Sequence, residues 1–190
     1  PFVLKYNDAL YLKKIATKKN IRCWTVFQNR YNPSIILINK LIKKNYFKKI
    51  NLIMCKLLWS RDLNYYKTDW RGVYKTDGGV LSNQAIHLLD ILTFLFGEIK
   101  NFNGIMNFNK NKLEAEDYIS LNLNLKSNVP TTFVATTRSN QDYEMSIDVI
   151  GSKKRIKIGG LALNSMNFFD VSFNKKYKNY SYKTNKGYGK

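Results

Sequence analysis

The single histidine of this 190-residue chain, His87, lies in a stretch whose polar residues are spaced for chemistry. Residues 81–96 are predicted to form one helix that ends at Gly97. At about 100° per residue, Asn83, His87 and Asp90 share an arc of about 60°. The remaining helix positions are nearly all apolar, so this polar stripe must find partners or line a cavity. Because imidazole exchanges protons near neutral pH, the stripe predicts the wall of an active site.

Two features support a catalytic interpretation of His87. Gly78 and Gly79 allow the backbone to turn sharply and approach a ligand before the helix begins. Asn83 and Asp90, one turn away on either side, could fix the tautomer and orientation of the ring. The alternative is a structural histidine whose hydrogen bonds are satisfied in the core, and the residues alone leave both interpretations open.

Composition indicates a globular protein with an unusual charge. Hydrophobic residues make up 44% of the chain and the formal net charge is +19. The 32 basic residues are mostly lysine, whereas arginine is the usual choice for gripping phosphates and bases. The lysines are scattered and accompany an excess of Asn, Ile and Tyr, which indicates A/T-rich codons. We therefore predict no nucleic-acid partner, although a basic field would attract anionic sugar nucleotides.

The compartment is predicted from what the sequence contains. No apolar run reaches the ~18 residues of a spanning helix, and no signal-peptide pattern is present. Cys23 and Cys55 show no CxxC spacing, which gives no support for a disulfide framework or a metal site. The sequence predicts a cytoplasmic protein with no membrane partner.

The first part of the chain alternates helix and strand patterns. Residues 6–19 are predicted to be an amphipathic helix and residues 21–27 a strand, which together form half of an α/β repeat. Asn32 and Pro33 are typical first residues of a helix, here continuing to about residue 44. A strand at 47–59 and a loop at 60–79 follow.

The second part is dominated by strands, predicted at 99–107, 117–125, 130–137, 144–150, 155–158 and 161–172. Helices followed by antiparallel strands predict an α+β fold, with the helices packed on one face of a mostly antiparallel sheet. The strands from 117 to 172 should present more apolar surface than these helices can cover, which favours a homo-oligomer through the sheet. Residues 174–190 are predicted to be a loose tail.

The run DGGVLSNQAIHLLD at residues 77–90 closely resembles the active-site helix of the Gfo/Idh/MocA oxidoreductases. Their pattern is a Gly-Gly turn, an Asp or Asn four residues later, and a His four residues beyond. Further segments follow in the order and spacing of that family, at 28–33, 70–72, 114–117 and 150–154. They are most similar to its UDP-N-acetylglucosaminuronic acid dehydrogenase branch, which serves surface-polysaccharide synthesis. The resemblance extends to about residue 165.

The resemblance implies the domain organisation and the cofactor. Residues 1–28 would be the remnant of a dinucleotide-binding domain, 29–173 the C-terminal substrate and oligomerisation domain, and 174–190 the tail. The full-length form would use NAD to oxidise or reduce a sugar-ring carbon of a nucleotide sugar.

The resemblance also implies roles for individual residues. His87 would be the general acid/base, and Asn83, at a position often held by Asp, would hydrogen-bond the sugar. Arg71 would grip a uronate carboxylate. Arg30 and Tyr31 would line the same cleft or instead pack at the domain junction. Asp90 would orient structure, and Trp70 would belong to the core or the cleft wall.

One part of the family pattern is missing. The sequence has no Gly-rich phosphate loop, since its only GxG is Gly187-Tyr188-Gly189. Pro1 aligns with the proline of a Glu-Lys-Pro motif, which places the catalytic lysine before the first residue. We therefore expect an inactive fragment that does not bind NAD alone, and its cofactor-binding residues stay unassigned. The rival functions are a non-enzymatic oligomerisation module and, third, a basic nucleic-acid-binding domain.

Overall fold

A computed structural model describes residues 3–109 and 113–169 of the chain. Its helical elements are α1 (Tyr6–Lys18), a 3₁₀ turn (Gln28–Tyr31), α2 (Pro33–Lys43), α3 (Gly79–Ser82) and α4 (Ile86–Phe96). Its strands are β1 (Ile50–Leu58), β2 (Ile99–Asn107), β3 (Tyr118–Leu125), β4 (Pro130–Thr136), β5 (Glu144–Gly151), β6 (Arg155–Gly159) and β7 (Ser165–Phe169). The predictions for Pro1, for the glycines at 187–189 and for the tail from 174 lie outside the described residues.

The strands form one sheet in the order β2-β3-β4-β1-β5-β6-β7. Among the described strands only the β1–β4 pair is parallel, and the other five pairs are antiparallel. Cys55 at its centre pairs with Phe133 of β4 and Ile147 of β5. The predicted mostly antiparallel sheet is confirmed.

The core lies between one face of this sheet and helices α2 and α4. Alternate residues of β1, namely Ile53, Cys55 and Leu57, are buried, as the period-two side-chain pattern of a strand requires. The helices contribute buried stripes at their own spacing: Ile35, Ile38 and Leu41 from α2, and Leu88, Ile91, Leu92 and Leu95 from α4. Each fully buried aliphatic side chain stabilises the fold by about 1.5–3 kcal/mol. The predicted α+β packing on one sheet face is confirmed.

The continuous helix predicted for residues 81–96 is wrong, because the chain turns at residues 83–85 between α3 and α4. Ala85 N–H donates to the carbonyl of Val80, five residues earlier, at 2.8 Å. The side chain of Glu116 accepts the N–H of Leu81, and its carbonyl accepts the N–H of Val80. The bond from Ala85 replaces regular helical bonding at the turn, whereas Glu116 caps the free N–H groups at the start of α3, so tertiary contacts override the apolar helical pattern.

The strand predicted at 21–27 is also wrong. These residues have no regular structure, and α1 before them buries no side chain. A strand needs a neighbour for its backbone N–H and C=O groups, and no described strand pairs with this segment. Trp24 and Val26 consequently remain 73% and 69% exposed.

The exposed apolar surface of the sheet is concentrated on its edge strand β2. Phe102, Ile105 and Met106 are 70%, 65% and 68% exposed. The adjoining outward positions of β3 are polar, and Asn124 there donates to Asn101 at 2.6 Å. This exposed apolar surface lies on β2, whereas the sequence predicted it on the strands from 117 to 172.

Candidate functional site

Asn83 lies in the turn between α3 and α4, where its amide donates to the carboxylate of Asp77. The other oxygen of Asp77 accepts the backbone N–H of Gly72 at 2.7 Å. Asp77 is buried, so the two bonds satisfy a carboxylate that would otherwise be costly to desolvate. This bridge ties the loop that carries Trp70 and Arg71 to the turn that carries Asn83.

The double glycine at the start of α3 is required by its surroundings. Gly78 and Gly79 have φ angles of 72° and 80°, in the left-handed region that favours glycine. A Cβ on Gly79 would lie 1.9 Å from Oε2 of Glu116. Burial raises the pKa of Glu116, while its hydrogen bond from the backbone of Leu81 opposes that shift. The sequence predicted that the backbone at this turn approaches a ligand. In the structure the backbone of Gly79 instead lies close to the carboxylate of Glu116.

His87 lies in the first turn of α4, with the ring edge-to-face against Phe27 at 6.1 Å between centroids. Its Nδ1 is buried and has no hydrogen-bond partner among the described residues. Burial lowers the pKa of His87, and the negative charge of Asp90 partly opposes this. The ring is therefore neutral at pH 7 and able to accept a proton.

Asp90 does not orient the imidazole through a described hydrogen bond. It accepts two bonds from the Arg30 guanidinium, one of them from Nε to Oδ2 at 2.8 Å. The Arg30 guanidinium also contacts the rings of Phe27 and Phe94, at 5.6 and 4.9 Å from their centroids. Arg30 thus packs against Phe27, Phe94 and Asp90, and its role at a cleft or a domain junction stays a prediction.

Tyr31 is 76% exposed. With Arg30, Phe27 and the exposed residues 24–26 it lines a groove of about 410 Å³. His87 contacts the same Phe27, so Arg30, Tyr31 and His87 belong to one neighbourhood.

Arg71 lies in the loop before α3, and its guanidinium contacts the rings of Tyr65 and Trp70 at 4.3 and 4.7 Å. Its buried Nε has no acceptor, and it forms no ion pair within the described ranges. By contrast, Arg30, Arg61, Arg138 and Arg155 are each paired with an aspartate. Arg71 is therefore suited to an anionic ligand.

A second cavity, of about 430 Å³, opens beside the Asn83 turn. We call it the Asn83 cleft; it is lined by Val3, Leu4, Lys5, Asp8, Trp70, Lys75, Thr76, Asp77, Ser82 and Asn83. Trp70 is thus part of a cleft wall. The structure places Asn83 in this cleft and Arg71 against the ring of Trp70, whereas His87, Arg30 and Tyr31 lie around Phe27.

Several residues of the site were not predicted from the sequence. Asp77 and Glu116 lie within the segments that matched the family, but nothing in the pattern indicated their hydrogen bonds. Gln84, next to Asn83, is buried and donates to the hydroxyl of Tyr65 at 3.1 Å. The turn at residues 83–85 brings the amide of Gln84 to the hydroxyl of Tyr65.

The described residues do not fit NAD by themselves. No strand, glycine loop and helix follow one another in the manner that holds a pyrophosphate. Within residues 3–109 and 113–169, no group of three His, Cys, Asp or Glu side chains could hold a metal ion. No helix in the described part of the chain is long and apolar enough to cross a membrane.

Comparison with known proteins gives one family match and many similar structures. Residues 35–157 match the GFO/IDH/MocA C-terminal domain. The WlbA dehydrogenase from Bordetella pertussis, solved with NADH and UDP-GlcNAcA, is 28% identical with a TM-score of 0.80, over 87% of this chain and 48% of that one. The WlbA dehydrogenase from Chromobacterium violaceum, with the same ligands, is 26% identical with a TM-score of 0.81, over 91% and 51%.

A levoglucosan dehydrogenase, in complex with NADH and levoglucosan, shares the fold at 18% identity and a TM-score of 0.65, over 73% of this chain and 40% of that one. No curated protein sequence matches the chain. The chain spans about half the length of the two WlbA enzymes. Because the family match covers well over half of its residues, this chain belongs to the GFO/IDH/MocA family.

Proposed function

We propose that this chain is the substrate-binding part of an NAD-dependent oxidoreductase that acts on a nucleotide sugar carrying a uronate. The observation that carries the proposal is the guanidinium of Arg71, which has a buried Nε without an acceptor and no carboxylate partner among the described residues. The similarity to two WlbA dehydrogenases solved with UDP-GlcNAcA supports that substrate class.

In this proposal each residue of the site acts on the sugar. Arg71 binds the uronate carboxylate through charge-assisted hydrogen bonds. Asn83 hydrogen-bonds a sugar hydroxyl while Asp77 holds its amide in place. Arg30 and Tyr31 border the groove around Phe27 on the side of His87.

His87 acts as the general acid/base in the same proposal. Its lowered pKa leaves the ring neutral, so it removes a proton from the reacting hydroxyl and returns it in the opposite direction. Asp90 does not share this role, because Arg30 engages both of its oxygens.

The domain assignment belongs to the proposal as well. Residues 1–28, with the exposed helix α1, belong to a dinucleotide-binding domain, and residues 29–173 form the substrate and oligomerisation domain. The place of action is the cytoplasm, in keeping with two free cysteines, and the pathway is surface-polysaccharide synthesis.

The test is binding of UDP-GlcNAcA by the chain, measured by calorimetry with UDP-GlcNAc as the matched ligand that lacks the carboxylate. We expect UDP-GlcNAcA to bind at least about tenfold more tightly, since a charged hydrogen bond contributes roughly 1.5–3 kcal/mol. Arg71→Ala should remove the preference. Equal affinities for the two ligands in the wild-type chain would refute a uronate site.

A measurement of NAD binding distinguishes the isolated chain from an enzyme that also has a dinucleotide-binding domain. Calorimetric titration of the chain with NAD should show no micromolar binding, whereas addition of the N-terminal half of a WlbA dehydrogenase should restore some. In such a reconstituted enzyme, His87→Asn should lower turnover by about 10²–10⁴-fold with little change in substrate affinity. Near-normal turnover with an unchanged pH profile would leave His87 structural.

A second candidate function is a non-enzymatic assembly module. The exposed Phe102 and Met106, which share one face of the edge strand β2, favour it, because clustered exposed apolar residues mark interfaces. The two functions are compatible, since assembly would use β2 while substrate would use the Asn83 cleft, Arg71 beside it and the groove around Phe27.

A further inference from the structure

Two arginines and three aromatic rings form one chain of contacts beside the Asn83 turn. Arg61 contacts the rings of Trp59 and Tyr65, at 4.9 and 5.3 Å from their centroids. Arg71 contacts the same Tyr65 at 4.3 Å and Trp70 at 4.7 Å. Tyr65 is therefore the ring that both guanidinium groups share.

Tyr65 is fixed from two further directions. Its hydroxyl accepts a hydrogen bond from the buried Gln84, which immediately follows Asn83. Its ring meets Tyr66 edge-to-face at 5.1 Å, and the hydroxyl of Tyr66 is bonded to Thr137 at 2.8 Å. The orientation of Tyr65 is thus tied to the turn at 83–85 and to the end of β4.

The two arginines on Tyr65 differ in their charge partners. Arg61 donates to Asp142 at 3.1 Å, so its charge is compensated within the chain. Arg71 has aromatic rings around it but no such carboxylate among the described residues, and its Nε is buried without an acceptor. A cation held by rings keeps its hydrogen-bond donors available for a ligand.

We propose that Tyr65, anchored by Gln84, is the positioning residue that aims the guanidinium of Arg71 at an anionic group of the ligand. This inference rests on the proposed function and deepens it by naming what orients the uronate-binding cation. Arginine loses several rotatable bonds on ordering, so a ring that pre-orients it lowers the cost of binding. Tyr65 itself touches no reacting group in this scheme.

The first test needs no ligand. The side-chain Nε–H signal of Arg71 in ¹⁵N NMR spectra can be assigned by its loss in Arg71→Ala. Ring currents from Tyr65 and Trp70 should separate it from the signal of the exposed Arg22, and Tyr65→Leu should move it toward the Arg22 position. Gln84→Met removes the hydrogen bond to Tyr65 but keeps the ring, so it should move the Arg71 signal in the same direction by a smaller amount. This variant replaces Tyr65→Leu in the test if Tyr65→Leu does not fold.

The second test measures the dissociation constant of UDP-GlcNAcA. Tyr65→Leu should weaken binding by about tenfold, and adding it to Arg71→Ala should weaken binding no further, because the two residues act as one unit. Tyr74→Leu, the same substitution at an exposed position of the same loop, should leave the dissociation constant unchanged.

The outcomes separate the two proposals. An Arg71 signal that does not move in Tyr65→Leu or Gln84→Met overturns the positioning role of Tyr65. Wild-type affinity of Tyr65→Leu for UDP-GlcNAcA, together with loss of binding in Arg71→Ala, also overturns the positioning role of Tyr65. That result leaves the proposed uronate site unaffected. A wild-type chain that does not prefer UDP-GlcNAcA overturns the proposed function, and the NMR shift alone then decides whether Tyr65 orients Arg71.

Discussion

The carboxylate of Glu116 lies against the α-carbon of Gly79, where a Cβ would be 1.9 Å from Oε2. Glu116 also accepts the N–H of Leu81, so it both fills the space beside the glycine and caps the start of α3. The Gly-Gly motif and the distant Glu116 are therefore one packing unit. This unit sets the position of the turn that carries Asn83.

We expect Gly79→Ala to destabilise the protein by at least about 2 kcal/mol, since it combines left-handed backbone strain with displacement of a buried carboxylate. Chemical denaturation gives the free energy of unfolding. In a Glu116→Ala background the same substitution should cost less, because only the backbone strain is left. An equal cost in both backgrounds would show that Glu116 does not determine the glycine at 79.

The single histidine makes its titration directly observable. The C2–H signal of His87 in ¹H NMR should titrate below the ordinary pKa of about 6.5, since burial disfavours the charged ring.

The lowered pKa of His87 also predicts a direction for stability. Because the unfolded chain takes up this proton more readily than the folded one, stability should be complete above the unfolded pKa. It should fall as the pH decreases through about 6.5 toward the folded pKa. Subtracting the curve of His87→Asn isolates this contribution. A folded pKa at or above 6.5 would contradict the burial of the ring.

The Arg30–Asp90 pair should stabilise the junction between the 3₁₀ turn and α4. Arg30→Ala leaves the carboxylate of Asp90 largely buried and unpaired, with an expected cost of about 1–3 kcal/mol. The matched control is Lys126→Ala at the exposed Lys126–Glu98 pair, which should change the unfolding midpoint little. Equal effects at the two pairs would contradict a special role for Arg30.

Self-association should depend on β2. Sedimentation velocity at increasing concentration should show a dimer or larger assembly. Met106→Lys should shift it toward monomer, because Met106 lies on the same face of β2 as Phe102 and the substitution places a charge in that apolar patch. Leu63→Lys, at an exposed loop position away from the sheet, is the control. A wild-type monomer at high concentration would rule out an assembly through this surface.

Much of the fold was predictable because its strands carry local signals. The alternation of Leu121, Leu123 and Leu125 with asparagines predicts β3, and the turn residues at 126–128 predict the hairpin that follows. The Gly78-Gly79 pair likewise predicted a sharp turn, whereas Asn83 was predicted to lie inside the helix that follows. These features depend on neighbours in sequence, which periodicity reports directly.

Only the tertiary structure determined which residues far apart in the chain form hydrogen bonds and pack together. The apolar pattern of residues 81–96 favours one helix, but Glu116 caps a short α3 and the chain turns at residues 83–85 before α4 begins. Asp90 shares the polar stripe of His87, yet its carboxylate belongs to Arg30, which lies 60 residues away. Residues 21–27 have the composition of a strand, but no strand among the described residues pairs with their backbone. Sequence fixes local preference, whereas hydrogen bonds and burial between distant segments determine which preference is realised.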